Sequence, residues 1–255
     1  MKMKIAVITD IHGNLEALTS ILNDIKTKNV DKIICLGDVI GLGVNSKECL
    51  DLIIDNNIDM VLGNHELYCI RGTQIDPSIV GEEKEHYECV KKSLTSKQIE
   101  FIKNCPLKYE YEIMYDNNIP NKKIVFSHYL INDINADNPF EKNHLKNDIN
   151  LWIKYNAPNI FYVVGHLHKS FDVNEVDGIF GDYIEEIYEL PNIEIVDSAG
   201  CSYNDEVSYM TIEIAKGLSF RSIKVKFDRE SFEKKIYNSK FPDKNNILKY
   251  FYGIG

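Results

Sequence analysis

The chain has 255 residues, 44% of them hydrophobic, and a formal net charge of −10. That length supports one large core in a single domain over residues 1–255. An acidic chain with no basic stripe argues against nucleic acid as a partner.

Residues 4–9 are a short apolar run ending at Asp10 and predict a buried strand. Asn14 is placed to cap the next helix, in which Leu15, Leu18, Ile21, Leu22 and Ile25 recur at helical spacing. Residues 32–36 predict a second buried strand, ending at Gly37-Asp38. Residues 46–54 predict a helix with Cys49, Leu50, Ile53 and Ile54 on one face, and residues 59–62 a third strand ending at Gly63-Asn64-His65. Strand and helix in alternation imply parallel pairing. In open parallel sheets, sites form beyond the carboxyl ends of strands, where these three motifs sit. Residues 82–94 and 96–104 predict helices, with Thr95 or Ser96 as the cap between them. Residues 107–115 and 123–127 predict strands joined by a turn at 117–121, and residues 141–152 a helix. Residues 160–164 predict a buried strand ending at Gly165-His166. Residues 193–196, 209–214 and 218–227 predict later strands, and 230–236 a helix. The acidic, aromatic run 171–191 reads as a surface hairpin or a flap.

No segment is long and apolar enough to span a membrane, and the start of the chain lacks the apolar run of a signal peptide. Cys35, Cys49, Cys69, Cys89, Cys105 and Cys201 are spread without a C-x-x-C pair and read as free thiols. Together these features predict a cytoplasmic protein.

The chemistry lies in five motifs: Asp10-Ile11-His12, Gly37-Asp38, Gly63-Asn64-His65-Glu66, Ser127-His128 and Gly165-His166-Leu167-His168. Residues i and i+2 of a strand share a face, so Asp10 and His12 can reach one ion together. Gly37, Gly63 and Gly165 each precede a candidate ligand and leave room for a tight turn, an ion and a substrate. Carboxylates from Asp10 and Asp38, the amide oxygen of Asn64 and imidazoles from His12, His128, His166 and His168 form a mixed N/O donor set. Such a set suits Mn²⁺, Fe, Zn²⁺ or Co²⁺ better than Ca²⁺, with Mn²⁺ favoured here. Seven ligands are too many for one such ion; two divalent ions sharing a carboxylate fit the count. A single D-x-H or G-D is common by chance, and the order of the whole set is what points to a metal site. His86 and His144 lie on polar helical segments and read as solvated. Arg71 reads as a surface arginine rather than a phosphate clamp, and residues 197–201 as a simple turn rather than a segment touching the site.

The ordered set resembles the calcineurin-like metallophosphoesterase superfamily. The run Thr9-Asp10-Ile11-His12-Gly13-Asn14-Leu15-Glu16-Ala17-Leu18 is similar to its small prokaryotic phosphodiesterase branch. The resemblance covers about residues 4–200. It implies an α/β fold, a four-layer α-β-β-α sandwich of two mixed β-sheets flanked by helices. It also implies that Asp10, His12, Asp38 and His168 hold a first metal, and that Asp38, Asn64, His128 and His166 hold a second, with Asp38 bridging. His65 matches the catalytic histidine. The implied reaction is hydrolysis of a phosphodiester or phosphomonoester, with a hydroxide bridging the two metals as nucleophile and His65 as general acid. The implied partner is a small phosphoester.

Three departures bear on substrate. Protein serine/threonine phosphatases of the superfamily carry G-D-x-x-D-R-G, whereas this chain has Gly37-Asp38-Val39-Ile40-Gly41-Leu42-Gly43. That argues against a phosphoprotein substrate, although the chain shares Glu66 with those enzymes. The run 171–191 is longer than expected after the last metal motif. Near 197–205, only Ser198 and Gly200 match a glycine-serine turn that a proline and an arginine usually follow. A dinucleoside polyphosphate hydrolase remains an alternative within the same chemistry. A non-catalytic metal-binding scaffold is the alternative of another class, disfavoured because every ligand and the catalytic histidine are retained.

Overall fold

The computed structural model describes residues 2–113, 122–140, 154–155, 157–168, 192–215 and 217–254. The expected turn at 117–121, the helix at 141–152 with His144, and the run 171–191 lie outside them.

In chain order the elements are β1 (Met3–Ile8), α1 (Leu15–Lys26), β2 (Lys32–Cys35), α2 (Ser46–Asp55), β3 (Asp59–Met60), α3 (Asn64–Arg71), α4 (Gly81–Ser93) and α5 (Ser96–Asn104). Then follow β4 (Lys108–Ile113), β5 (Lys122–Ser127), β6 (Ile160–Val164), β7 (Ile193–Ile195), β8 (Glu206–Ile214), β9 (Leu218–Lys226), α6 (Arg229–Asn238) and α7 (Lys244–Tyr252). One sheet runs β3-β2-β1-β8-β9 and the other β4-β5-β6-β7. Both are mixed. β1, β2 and β3 pair in parallel as expected, while β8 inserts antiparallel beside β1. In the second sheet β5, β6 and β7 are parallel and β4 is antiparallel.

The two-residue period of β1 sorts its side chains between two cores. Ile5 and Val7 join Ile34, Leu36, Met210 and Ile212 and meet Ile124, Phe126 and Val163 of the other sheet. Ala6 and Ile8 join Leu18, Ile21 and Ile25 of α1 and Cys49, Leu50 and Ile53 of α2. Asn14 caps α1 by accepting from the Ala17 amide at 3.0 Å. Burying each of the large α1 side chains stabilises the helix by roughly 1.5–3 kcal/mol. The result is the expected α/β sandwich, two mixed sheets flanked by helices.

Parallel register decides where the motifs meet. Ile8 pairs with Cys35, and Cys35 with Met60, so the segments carrying Asp10, Asp38 and Asn64 leave three neighbouring strands at one end. Phe126 pairs with Val163, which sets His128 beside His166 at the matching end of the second sheet.

Two helices go beyond the sequence expectations, α3 over the third motif and α7 near the end of the described chain. Long-range contacts correct two expectations. His86 is not solvated: it is 1% exposed, with Nδ1 donating to the Pro242 carbonyl at 3.2 Å and its ring 4.5 Å from that of Phe241. The segment leading into α7 folds over α4 and covers it. Residues 197–201 are more than a simple turn, because Ser198 Oγ donates to the Asp10 carbonyl at 2.8 Å. Asn14 Nδ2 donates to the Gly200 carbonyl at 2.7 Å, tying the same loop to the start of α1. Arg71 is half-buried and donates to the carbonyls of Ala136 and Asp137 at 2.8 and 2.6 Å, so it fastens a loop. All six cysteines are free thiols.

Candidate metal centre

Asp10, His12, Asp38, His166 and His168 all have positive φ, from 43° to 68°. Asp and His tolerate this left-handed backbone better than most residues, and such strain clusters at functional sites. The turns let side chains from successive loops converge instead of alternating.

On one side, His12 Nε2 and His168 Nε2 lie 3.2 Å apart, and His168 Nε2 lies 3.2 Å from Asp10 Oδ1. His12 Nε2 is 3.6 Å from Asp10 Oδ1 and 3.9 Å from Asp38 Oδ2. On the other side, His128 Nε2 is 2.9 Å from Asn64 Oδ1, 3.2 Å from His166 Nδ1 and 3.4 Å from Asp38 Oδ2. Asp38 therefore faces both groups. His128 Nδ1 donates to the Leu36 carbonyl at 3.0 Å, which fixes the tautomer and leaves Nε2 as a lone-pair donor. Asp10 Oδ2 is held by Thr9 Oγ1 at 2.6 Å and by the His166 amide at 2.9 Å, so Oδ1 is the oxygen turned to the histidines.

This arrangement fits cations. Ligand atoms bound at roughly 2.1 Å sit about 3.0–3.4 Å from one another around an octahedral or tetrahedral ion. Two imidazole nitrogens at 3.2 Å repel unless a proton or cation lies between them. Asp10, Asp38 and Glu66 are all buried, and among the described residues no lysine or arginine pairs with them. Of these, Asp10 and Asp38 turn their oxygens towards imidazoles, a setting that suits cations.

The protonation preferences follow from packing. Burial, then Glu66 and Asp10, push the Asp38 carboxyl well above its ordinary range. Burial acts against both charged forms of the Asp10–His168 pair, but each partner overcomes it in the other: Asp10 is held low and His168 high. Burial lowers His128 to about 4 and His166 to about 3, which keeps both neutral and able to donate lone pairs.

Glu66 has a different task. Its carboxylate is fully buried and accepts from the amides of Asp38 (2.7 Å), Val39 (2.9 Å), Ile40 (3.3 Å) and Gly63 (3.0 Å). It welds the Gly37-Asp38 loop to the start of α3. Gly63 belongs to the same joint: a Cβ there would lie 2.1 Å from Asp38 Oδ1.

His65, at the start of α3, gives its amide to Asp38 Oδ1 at 2.9 Å. Its Nε2 lies 3.7 Å from Asp38 Oδ2 and 3.4 Å from Tyr87 Oη. Burial, then His12 and His86, hold its pKa well below the ordinary value. Every residue singled out in the five motifs is thus in one cluster. Sequence reasoning preferred a turn for the segment ending in Cys201, whose thiol shares a 4.8 Å neighbourhood with donor atoms of His12 and His168.

Fold and donor set define a class: a two-sheet α/β sandwich with a mixed carboxylate, amide and imidazole cluster at its strand ends. The chain belongs to the calcineurin-like phosphoesterase family, whose model matches residues 3–196. It is 30% identical to the uncharacterized protein MJ0912 of Methanocaldococcus jannaschii over 257 residues, spanning 95% of this chain and 96% of the relative. It is similar to the crystal structure of a metallophosphoesterase from Sphaerobacter thermophilus, at TM-score 0.63 and 20% identity. It is also similar to hypothetical protein PH1004 from Pyrococcus horikoshii, at TM-score 0.68 and 17% identity. Each of these two alignments covers 98% of both chains, and at these identities they speak for the fold. No helix among the described residues is long and apolar enough to cross a membrane.

Proposed function

We propose that this chain is a binuclear metal-dependent phosphoesterase acting on a small phosphodiester or phosphomonoester, the diester being the first expectation. The observation that carries the reading is the convergence of four histidines and two carboxylates on two adjoining sets that share Asp38. Asp10, His12, Asp38 and His168 would hold one ion, and Asp38, Asn64, His128 and His166 the other. The N/O donors suit Mn²⁺, Fe, Zn²⁺ or Co²⁺. Bound divalent cations supply a water-derived nucleophile at neutral pH and neutralise charge on phosphoryl oxygens.

The rest falls to the chain. Glu66 and Gly63 fix the position of the Asp38 carboxylate. His65 delivers a proton to the leaving alcohol from a ring set by its own amide bond to Asp38. Without substrate the ring is neutral; a bound phosphoester anion favours its protonated form.

The test is hydrolysis of a nitrophenyl phosphodiester, the matching monoester and an alkyl phosphodiester by Mn²⁺-loaded protein, with His65→Ala alongside. Nitrophenolate needs little protonation as it leaves, whereas an alkoxide needs much. His65→Ala should lose roughly 10²–10⁴ in kcat on an alkyl ester and far less on the nitrophenyl ester. Its metal content should match that of the native protein. Loss of both metals would refute the assigned role, and no turnover of any ester by native protein would refute the activity.

A further inference from the structure

A cavity of about 510 Å³ opens on the candidate centre, where His12, Asp38 and His65 line it. Beyond the centre its chemistry changes. Asp76, Glu83 and Asp243 bring three carboxylates to the wall, and the rings of Tyr68, Tyr87 and Phe251 line it beside them. Among the described residues no lysine or arginine lines the cavity.

Three donors on this wall are already engaged. Tyr68 Oη donates to Asp76 at 3.2 Å, Ser78 Oγ to Asp76 at 2.7 Å, and Asn246 Nδ2 to Asp243 at 2.6 Å. His86 also lines the cavity. Its Nδ1 proton goes to the Pro242 carbonyl, so Nε2 is an acceptor, buried and without a partner among the described residues. Carboxylates, an imidazole lone pair and ring faces together ask for a ligand that brings positive charge and N–H donors. A second phosphate would meet the carboxylates of Glu83 and Asp243, with no lysine or arginine among the described lining residues to balance it. A plain hydrocarbon would take water from them and return nothing.

We propose that this cavity binds a protonated primary amine carried on one ester alcohol of the substrate. The inference rests on the phosphoesterase reading and narrows it to amino-alcohol phosphoesters. It also argues against dinucleoside polyphosphates, whose charge has the wrong sign. The crowding is visible in Glu83 itself: burial, then Asp243 and Asp76, push its carboxyl up. An ammonium group would relieve that repulsion.

The test uses the full chain loaded with Mn²⁺ and a matched set of 4-nitrophenyl phosphodiesters. Their second alcohol carries an aminobutyl, pentyl, carboxybutyl or trimethylammoniobutyl group. The aminobutyl ester should exceed the pentyl ester at least about tenfold in kcat/KM, and the carboxybutyl ester should be the poorest. In Glu83→Gln combined with Asp243→Asn, the aminobutyl-to-pentyl ratio should fall to near one. An equal ratio in native protein, or an unchanged one in the variant, overturns the proposal. A trimethylammonio ester preferred as strongly as the amino ester overturns the primary amine. Calorimetry with butylammonium on the same proteins separates the two readings. Amine binding that the variant loses, without hydrolysis of any ester, would retain the cavity and sink the phosphoesterase. Hydrolysis without amine binding would do the reverse.

Discussion

Replacing Glu66 by glutamine tests whether this residue is a structural clamp or a part of the chemistry. Oε2 accepts from the amides of Asp38 and Gly63 at 2.7 and 3.0 Å, and Oε1 from those of Val39 and Ile40 at 2.9 and 3.3 Å. In Glu66→Gln one of these oxygens becomes an NH₂ group, so two of the four bonds turn into donor facing donor. A hydrogen bond to a charged group contributes roughly 1.5–3 kcal/mol, so the loss is roughly 3–6 kcal/mol before compensation. Removing a buried charge that crowds Asp38 returns part of this. The net destabilisation should be about 2–4 kcal/mol. For a chain of this size that lowers Tm by roughly 5–15 °C. Scanning calorimetry on chelator-treated native and Glu66→Gln protein measures it without any contribution from bound metal. A Tm within about 2 °C of native would refute the clamp. A variant of native stability that loses turnover would instead place Glu66 in the chemistry.

Asp38→Ala should lower kcat/KM by roughly 10³-fold or more, since it removes the carboxylate common to both donor groups. Elemental analysis should show a falling metal-to-protein ratio; an unchanged ratio would refute the shared role. Gly41→Ala should resemble His65→Ala in kcat and retain its metal, because a Cβ there would lie 2.1 Å from His65 Nδ1 on a backbone with φ of +105°. Native turnover by that variant would show that the His65 ring position is unimportant. His86 should make the fold acid-sensitive. Burial lowers its pKa from 6.5 to about 4, so its contribution is intact above 6.5 and is lost as pH falls towards 4. At about 1.4 kcal/mol per unit the full loss is about 3 kcal/mol. Urea titrations at about pH 7.5 and about pH 5 should show a smaller loss in His86→Gln than in native protein. Equal losses would contradict this origin of the acid sensitivity.

The strand-end motifs were legible because each is a local pattern: an apolar run, a turn, then a residue with a lone pair. Their convergence follows from parallel register, which strand and helix in alternation already imply. What lay hidden depends on distant partners. α3 carries no clean apolar stripe, since His65, Glu66 and Tyr68 are among its buried residues, with their polar atoms bonded to other loops or facing the cavity. His86 looks solvated within its own helix and is covered by a segment 156 positions away. Ser198 reads as turn chemistry until its hydroxyl finds the Asp10 carbonyl 188 positions earlier. The slot that β8 fills beside β1 has no local signature, because antiparallel insertion is settled by which edge is open when the hairpin with β9 arrives.

That slot has a consequence for how the protein is made. Met3 pairs with Ile214, so most of the chain is synthesised between the two sides of one ladder. β2 can cover one edge of β1 early, while the other edge emerges from the ribosome long before its neighbour exists. An open edge of apolar strand is a template for the wrong chain. The Asp10 loop can bond early to the loop of residues 37–39, while the other edge of β1 stays open to mispairing until β8 docks. A ribosome stalled before residue 206 would display a chain bearing all five motifs that still lacks the strand closing its central sheet.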